Sequence, residues 1–231
     1  MTVLIGLRCS DGAVFACDSQ ETRGTYFRFW PKVSVLENRF AVLGAGNSTT
    51  IEAFARRLDI GFGDAAKQGQ IDRSRASQII EEILISLAKE GGDDVVKGRQ
   101  ILITGISDDN EICLWAVDAG EMYLRNMHTW ECYGSGIDAA EMLMKDFYFP
   151  EVSTKEAVPL LAYVIHAVSE VCLDCGGPIS IVVIDGQALK ELPFEEVEAV
   201  INKVKPWLDR LRKELPKEVL KGKLANDRLM R

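Results

Sequence analysis

Several functional classes fall away on what this sequence lacks. No stretch approaches the roughly 18 consecutive apolar residues of a membrane-spanning helix, so no membrane span is expected. Positive charge is short: 27 Lys and Arg against 35 Asp and Glu leave a formal net charge of −8. That balance excludes a broad basic face for phosphate backbones, and no nucleic-acid partner is expected. Histidine occurs only as His128 and His166, one read on a strand and one on an apolar helix, where a lone histidine is a structural residue. Cys172 and Cys175 form a single Cys-x-x-Cys pair, without a second pair or a metal-spaced histidine, so neither metal nor cofactor is expected. An apolar leader is also missing from the first 20 residues, which carry Arg8, Asp11 and Asp18; a cytoplasmic protein is the expectation.

What is present suits one large core. The 231 residues are 47% hydrophobic and contain no repeat, low-complexity run or linker, the pattern of one domain. Its main body is expected over 1–192, with 193–231 as a C-terminal helical extension packed on it. Residues 201–231 hold ten Lys or Arg against four Asp or Glu and read as a solvated helical face. The six cysteines (Cys9, Cys17, Cys113, Cys132, Cys172, Cys175) sit mostly in apolar runs, as buried free thiols do in a reducing compartment.

Apolar runs at 3–7 and 13–17 flank Ser10-Asp11-Gly12, and Asp-Gly between such runs predicts a tight hairpin. A second hairpin is expected from 32–36 and 39–44 across Glu37-Asn38. These strands read as continuous apolar sequence, so both faces of their sheets need cover. Helices follow: one at about 50–58 after Asn47-Ser48-Thr49, and one marked by Ile79, Ile80, Ile83, Leu84 and Leu87 that ends at Gly91-Gly92. Strands return at 101–106 and 112–117, with weaker ones at about 121–125 and 128–133 completing a meander. Helices at about 137–146 and 153–172 come next, the latter opened by the capping-box spacing Ser153–Glu156 and kinked or delayed by Pro159. Strands at 179–184 and about 187–191 precede two helices broken at Pro206. The order strands, helices, strands, helices, strands predicts an α+β fold, a four-layer αββα sandwich of two antiparallel sheets flanked by helix pairs.

Thr2 is the candidate nucleophile. A threonine hydroxyl can attack an amide if its own free α-amine takes the proton, which requires that Met1 be removed. An α-amine with a reference pKa of about 7.7–8.0 is partly unprotonated near neutrality. A two-residue Asp11-Gly12 turn sets Thr2 roughly opposite Glu21 with Asp18 at the same end, and Lys32, entering the next strand, can reach that end. Threonine, carboxylate and ammonium together form a cluster able to activate a nucleophile.

On these residues the chain resembles the proteasome-type N-terminal nucleophile hydrolases, the group of proteasome β subunits, the HslV peptidase and Anbu. The resemblance covers about residues 2–192. Thr2 matches the catalytic threonine, and Asp18 in "DGAVFACDSQETRG" matches the supporting acidic position. Lys32 in "PKVSVL" falls near the family's lysine, with the preceding stretch about two residues short. Gly46 in "GAGNSTT" matches the glycine whose N–H serves the oxyanion hole, and Ser135 in "YGSGIDAA" matches the serine near the nucleophile. Ser135 also reads as a helix N-cap. In "CLDCGG", Cys172 and Cys175 replace the family's Asp and Ser. The resemblance implies a threonine peptidase or amidohydrolase acting on peptide or protein substrates. It also implies a homo-oligomeric ring or stacked assembly and an ATPase unfoldase partner. A catalytically silent structural subunit that retains Met1, or an amide ligase, stays open beside it.

Overall fold

Five antiparallel strands form each of two sheets in a computed structural model of the protein, which describes residues 2–23, 26–91, 99–118, 123–186, 188–206 and 209–210. The first sheet has the order β10 (Trp130–Gly134), β1 (Val3–Arg8), β2 (Ala13–Asp18), β11 (Ile179–Ile184), β12 (Leu189–Glu191). The second runs β5 (Val33–Leu36), β6 (Phe40–Ala45), β7 (Gln100–Ile106), β8 (Ile112–Asp118), β9 (Tyr123–Asn126). Between β2 and β5 the chain makes a separate two-stranded ribbon, β3 (Gln20–Arg23) with β4 (Tyr26–Phe29).

Alternation along the strands builds the layers. Leu4, Phe15 and Cys17 point from the first sheet toward Leu43, Leu102 and Leu114 of the second, filling the space between the sheets. Val3, Ile5 and Val14 point the other way, onto Met144 of α3 (Ile137–Phe147) and Leu161 and Ile165 of α4 (Thr154–Ser169). On the far side, Phe40 and Ile101 meet Phe54 and Leu58 of α1 (Ser48–Gln68) and Ile80 of α2 (Arg73–Gly91), with Phe40 and Phe62 stacked at 4.3 Å. Both faces of each central strand are covered, which is why those strands read as unbroken apolar runs. Val197, in the helix α5 (194–206), packs into the first helical layer. The αββα sandwich is the fold.

Most elements lie within a few residues of their expected bounds, and the departures are instructive. The first hairpin is not closed by a two-residue turn. Leu4 pairs with Cys17 and Arg8 with Ala13, leaving a connection of Cys9 to Gly12. Asp11 is spent elsewhere: its carboxylate accepts the Thr154 N–H at 2.7 Å and the Thr154 hydroxyl at 3.1 Å at the start of α4. A Cβ on Gly12 would come within 1.9 Å of the Ile184 carbonyl, so this glycine serves a close approach to β11. The register therefore moves by two residues and brings Thr2 toward Ser19 instead of Glu21; an even shift keeps each side chain on its face. Glu37 and Asn38 both have positive φ, as the second tight hairpin needs.

The expected meander is also broken, because β10 leaves β9 and joins β1 in the other sheet. His128 lies exposed in the turn between these strands, not on a strand. Helix α4 runs through Pro159, so that residue does not delay it. Residues 121, 122 and 187 of the expected strands, Gly92, residues 207 and 208, and the basic tail 211–231 lie outside the described residues.

Candidate active site

The site forms where the start of β1 meets the end of β2. Val3, the first residue of β1, is opposite Asp18, the last of β2, so the Val3 N–H donates to Asp18 Oδ1 at 3.0 Å. One residue earlier, the Thr2 hydroxyl donates to the same oxygen at 3.0 Å. Lys32, just before β5 in the facing sheet, donates its Nζ to that oxygen at 2.7 Å and to the Gln20 carbonyl at 2.5 Å. The other oxygen, Oδ2, accepts the Gly176 N–H at 2.9 Å. Asp18 is fully buried and its carboxylate thus receives four donors, the number an ionised carboxylate can accommodate. A buried carboxylate–ammonium pair is tolerable only with such complete hydrogen bonding.

A second set of contacts holds the Thr2 backbone. The Thr2 N–H donates to Ser135 Oγ at 3.0 Å, Ser135 Oγ lies 3.3 Å from the Thr2 carbonyl, and the Gly136 N–H donates to that carbonyl at 3.3 Å. Gly134 has φ of 98°, and a Cβ on it would sit 2.1 Å from the Thr2 carbonyl oxygen. Glycine is required there on both counts. Ser135 does not cap α3, whose N-cap is Gly136; its hydroxyl is committed to Thr2. Of the residues singled out in the sequence, Thr2, Asp18, Lys32 and Ser135 lie within hydrogen-bonding distance of one another here, Ser135 through the Thr2 backbone.

Gly46, with φ of 123°, lines the cleft that opens on Thr2, directly before the Asn47 cap of α1. Glu21 is not the cross-strand neighbour of Thr2. It forms a wall of that cleft, accepting Arg28 Nε at 2.5 Å and the Ser48 hydroxyl at 2.8 Å. The loop after α4 places Cys175 Sγ 3.8 Å from Ser135 Oγ and 3.2 Å from Cys172 Sγ. Burial above all, then the Cys172 thiol and the Asp18 charge, pushes the Cys175 thiol up to about 12, so it stays neutral. Asp174, beside it, is half-buried and has no hydrogen bond or ion pair among the described residues. Sequence reasoning did not place Ser48 or Glu52 at the cleft: Ser48 reads only as part of the cap run Asn47-Ser48-Thr49, and the entry of α1 brings both to the cleft beside Thr2. Among the described residues no group of three or more His, Cys, Asp or Glu could hold a metal ion, and no helix is long and apolar enough to cross a membrane.

An αββα sandwich with a threonine at the head of its first strand, set over a buried carboxylate–ammonium pair, defines the N-terminal nucleophile hydrolase class. The family model "Proteasome subunit" matches residues 2–184, and the chain belongs to that family. It is 23% identical to proteasome subunit beta 1 of Thermococcus onnurineus, over 87% of this chain and 97% of that protein. It is 22% identical to proteasome subunit beta of Methanobrevibacter ruminantium, over 88% and 95%. With proteasome subunit beta of Ferroglobus placidus it shares 24%, over 88% and 96%.

Proposed function

We propose that the protein is a threonine peptidase whose nucleophile is Thr2, freed at its N-terminus by removal of Met1. The observation that carries this reading is the convergence of the Thr2 hydroxyl, Lys32 and the Val3 N–H on one oxygen of buried Asp18. The hydroxyl is thereby held in one orientation, beside a fixed positive charge that favours the unprotonated α-amine. Thr2 Oγ1 adds to the carbonyl carbon of an amide while the α-amine accepts its proton. The oxyanion is met by the Gly46 N–H at the cleft wall. Collapse breaks the C–N bond, the α-ammonium returns the proton to the departing amine, and an acyl ester on Thr2 remains. Water, activated by the same amine, hydrolyses that ester and regenerates the threonine.

Ser135 holds the amine through the hydrogen bond now made by the Thr2 N–H. The protein works in the cytoplasm on peptides or proteins, as a ring or stack of its own copies, with an ATPase unfoldase opening folded substrates for it. The β3–β4 ribbon supports self-association: Tyr26 is 80% and Phe27 65% exposed, and Leu173, 96% exposed, adds to the apolar surface. A second reading, a silent subunit, is favoured by one feature, the neutral Cys175 thiol in place of the serine that the resembled family keeps beside Ser135.

Intact mass and labelling by a threonine-directed electrophile such as an epoxyketone test the reading together. A chain lacking Met1 that takes up one equivalent of probe on Thr2, with none taken up by Thr2→Ala, is the expected result. A free Thr2 that stays unlabelled overturns it in favour of the silent subunit.

A further inference from the structure

Just past the end of α4, the Cys172 N–H donates to the Val168 carbonyl at 2.8 Å. The chain then reverses: the Cys175 N–H donates to the Cys172 carbonyl at 3.1 Å, a β-turn with Leu173 and Asp174 at its corners. Neighbouring backbone grips this turn. Gln20 Nε2 donates to the Leu173 carbonyl at 2.9 Å, and the Gly176 carbonyl accepts the Gln20 N–H at 2.9 Å. One residue past the turn, the Gly176 N–H is the donor to Asp18 Oδ2.

The turn brings two thiols together. Their sulfurs lie 3.2 Å apart. The Cα atoms at the ends of a β-turn stay within about 7 Å of each other, which is the reach of a disulfide. Their surroundings differ: Cys172 is half-buried next to Leu173, which is 96% exposed, whereas Cys175 is buried against Ser135 and Gly136. A small oxidant therefore meets Cys172 first. Burial pushes the Cys175 thiol up to about 12, so it waits in its protonated form. The other four cysteines are buried.

We infer that Cys172 and Cys175 are a redox-active pair, closed to a disulfide by a peroxide and reopened by a dithiol. Cys172 Sγ attacks one peroxide oxygen, the O–O bond breaks, and the leaving hydroxide takes the thiol proton as water, so that a sulfenic acid remains. Cys175 Sγ then attacks the Cys172 sulfur, the S–O bond breaks, and a second water departs with the Cys175 proton. The two thiols lose two electrons, and the peroxide gains them as it becomes two waters. A dithiol reverses the step by exchange at Cys172, and its own thiols end as a disulfide. In a reducing compartment such a bond is transient. Cys172, on the exposed side, is the sulfur with room to move, so closure leaves the Gly176 N–H on Asp18. The closed pair stiffens the turn that supports the carboxylate beneath Thr2. This pairing does not depend on the peptidase reading.

The full-length protein, reduced and then exposed to hydrogen peroxide, tests the inference. Intact mass is expected to fall by two hydrogens, with Cys172 and Cys175 protected from iodoacetamide after denaturation and the other cysteines alkylated; dithiothreitol is expected to restore both thiols. Cys175→Ser is expected to stop at a sulfenic acid on Cys172 that dimedone traps. The closed form is expected to melt roughly 5 °C higher than the reduced form and to exchange the Gly176 amide about tenfold more slowly. Cys172→Ser, which has no pair to close, is expected to show neither change. If Cys172 and Cys175 stay alkylatable after peroxide, or carry oxygen without a bond between them, the inference is overturned. A disulfide that leaves melting and Gly176 exchange unchanged overturns it as well. None of these readouts uses Thr2 chemistry, so failure of the peptidase reading leaves them standing.

Discussion

Lys32 Nζ and Asp18 Oδ1 lie 2.7 Å apart and tie the two sheets together at the site, one residue preceding β5 and the other ending β2. The Lys32 side chain is 9% exposed and that of Asp18 not at all, so neither charge has water to fall back on.

Removing one partner of this pair strands the other. Lys32→Met is expected to cost about 3–5 kcal/mol. In a chain of this size that lowers the melting temperature by roughly 10 °C. Lys32→Met combined with Asp18→Asn is expected to lose less than Lys32→Met alone, because no buried charge is left unpaired. Calorimetry of the three proteins reads the difference.

Thr2 variants separate chemistry from architecture. Thr2→Ala is expected to reduce peptide turnover to background while circular dichroism and oligomeric state stay unchanged. Thr2→Ser keeps a hydroxyl within reach of Asp18 and is expected to retain part of the turnover. Fluorogenic peptide assays measure both.

Gly134→Ala forces a Cβ toward the Thr2 carbonyl at a positive φ that alanine adopts only with strain. The expected outcome is a stability loss of about 1–3 kcal/mol, together with a fall in Thr2 labelling larger than that loss alone would give, because Thr2 itself is displaced. Denaturant melts and labelling rates on one preparation test the pairing of the two effects.

The thiols are expected to divide by their surroundings. Burial pushes Cys9, Cys132 and Cys175 up to about 12, and Cys17 is also pushed upward, by burial first. A raised thiol pKa means the reactive thiolate is scarce below it, so at pH 8 these residues resist iodoacetamide in the folded protein. Cys172 is the half-buried exception and is expected to be alkylated first, as peptide mass mapping reads.

Much of this was legible in the residues. Unbroken apolar strands announced two covered sheets, and Thr2, Asp18 and Lys32 were found by asking which side chains could reach the chain's first hydroxyl. The hairpin register was not legible, because Asp11 and Gly12 look like a tight turn and instead cap α4 and crowd β11. The β3–β4 ribbon was missed because Glu21 reads as a continuation of β2, Gln20–Arg23 is polar throughout, and Tyr26–Phe29 is exposed along its length. The crossing of β10 into the other sheet leaves no local trace, since its pairing with β1 joins residues far apart in sequence. Glu52 as a cleft wall depends on the direction in which α1 leaves Gly46, which only tertiary packing sets.

The Gly176–Asp18 hydrogen bond spans 158 residues, and the Ser135–Thr2 bond spans 133. A ribosome delivers Thr2 first and these partners much later, and contacts so distant in sequence close slowly even in a finished chain. The nascent protein therefore carries Thr2 and Asp18 through most of synthesis without Ser135 and Gly176, the partners they bond in the fold. Chain order thus delays assembly of the Thr2 site until the last strands of the first sheet are made.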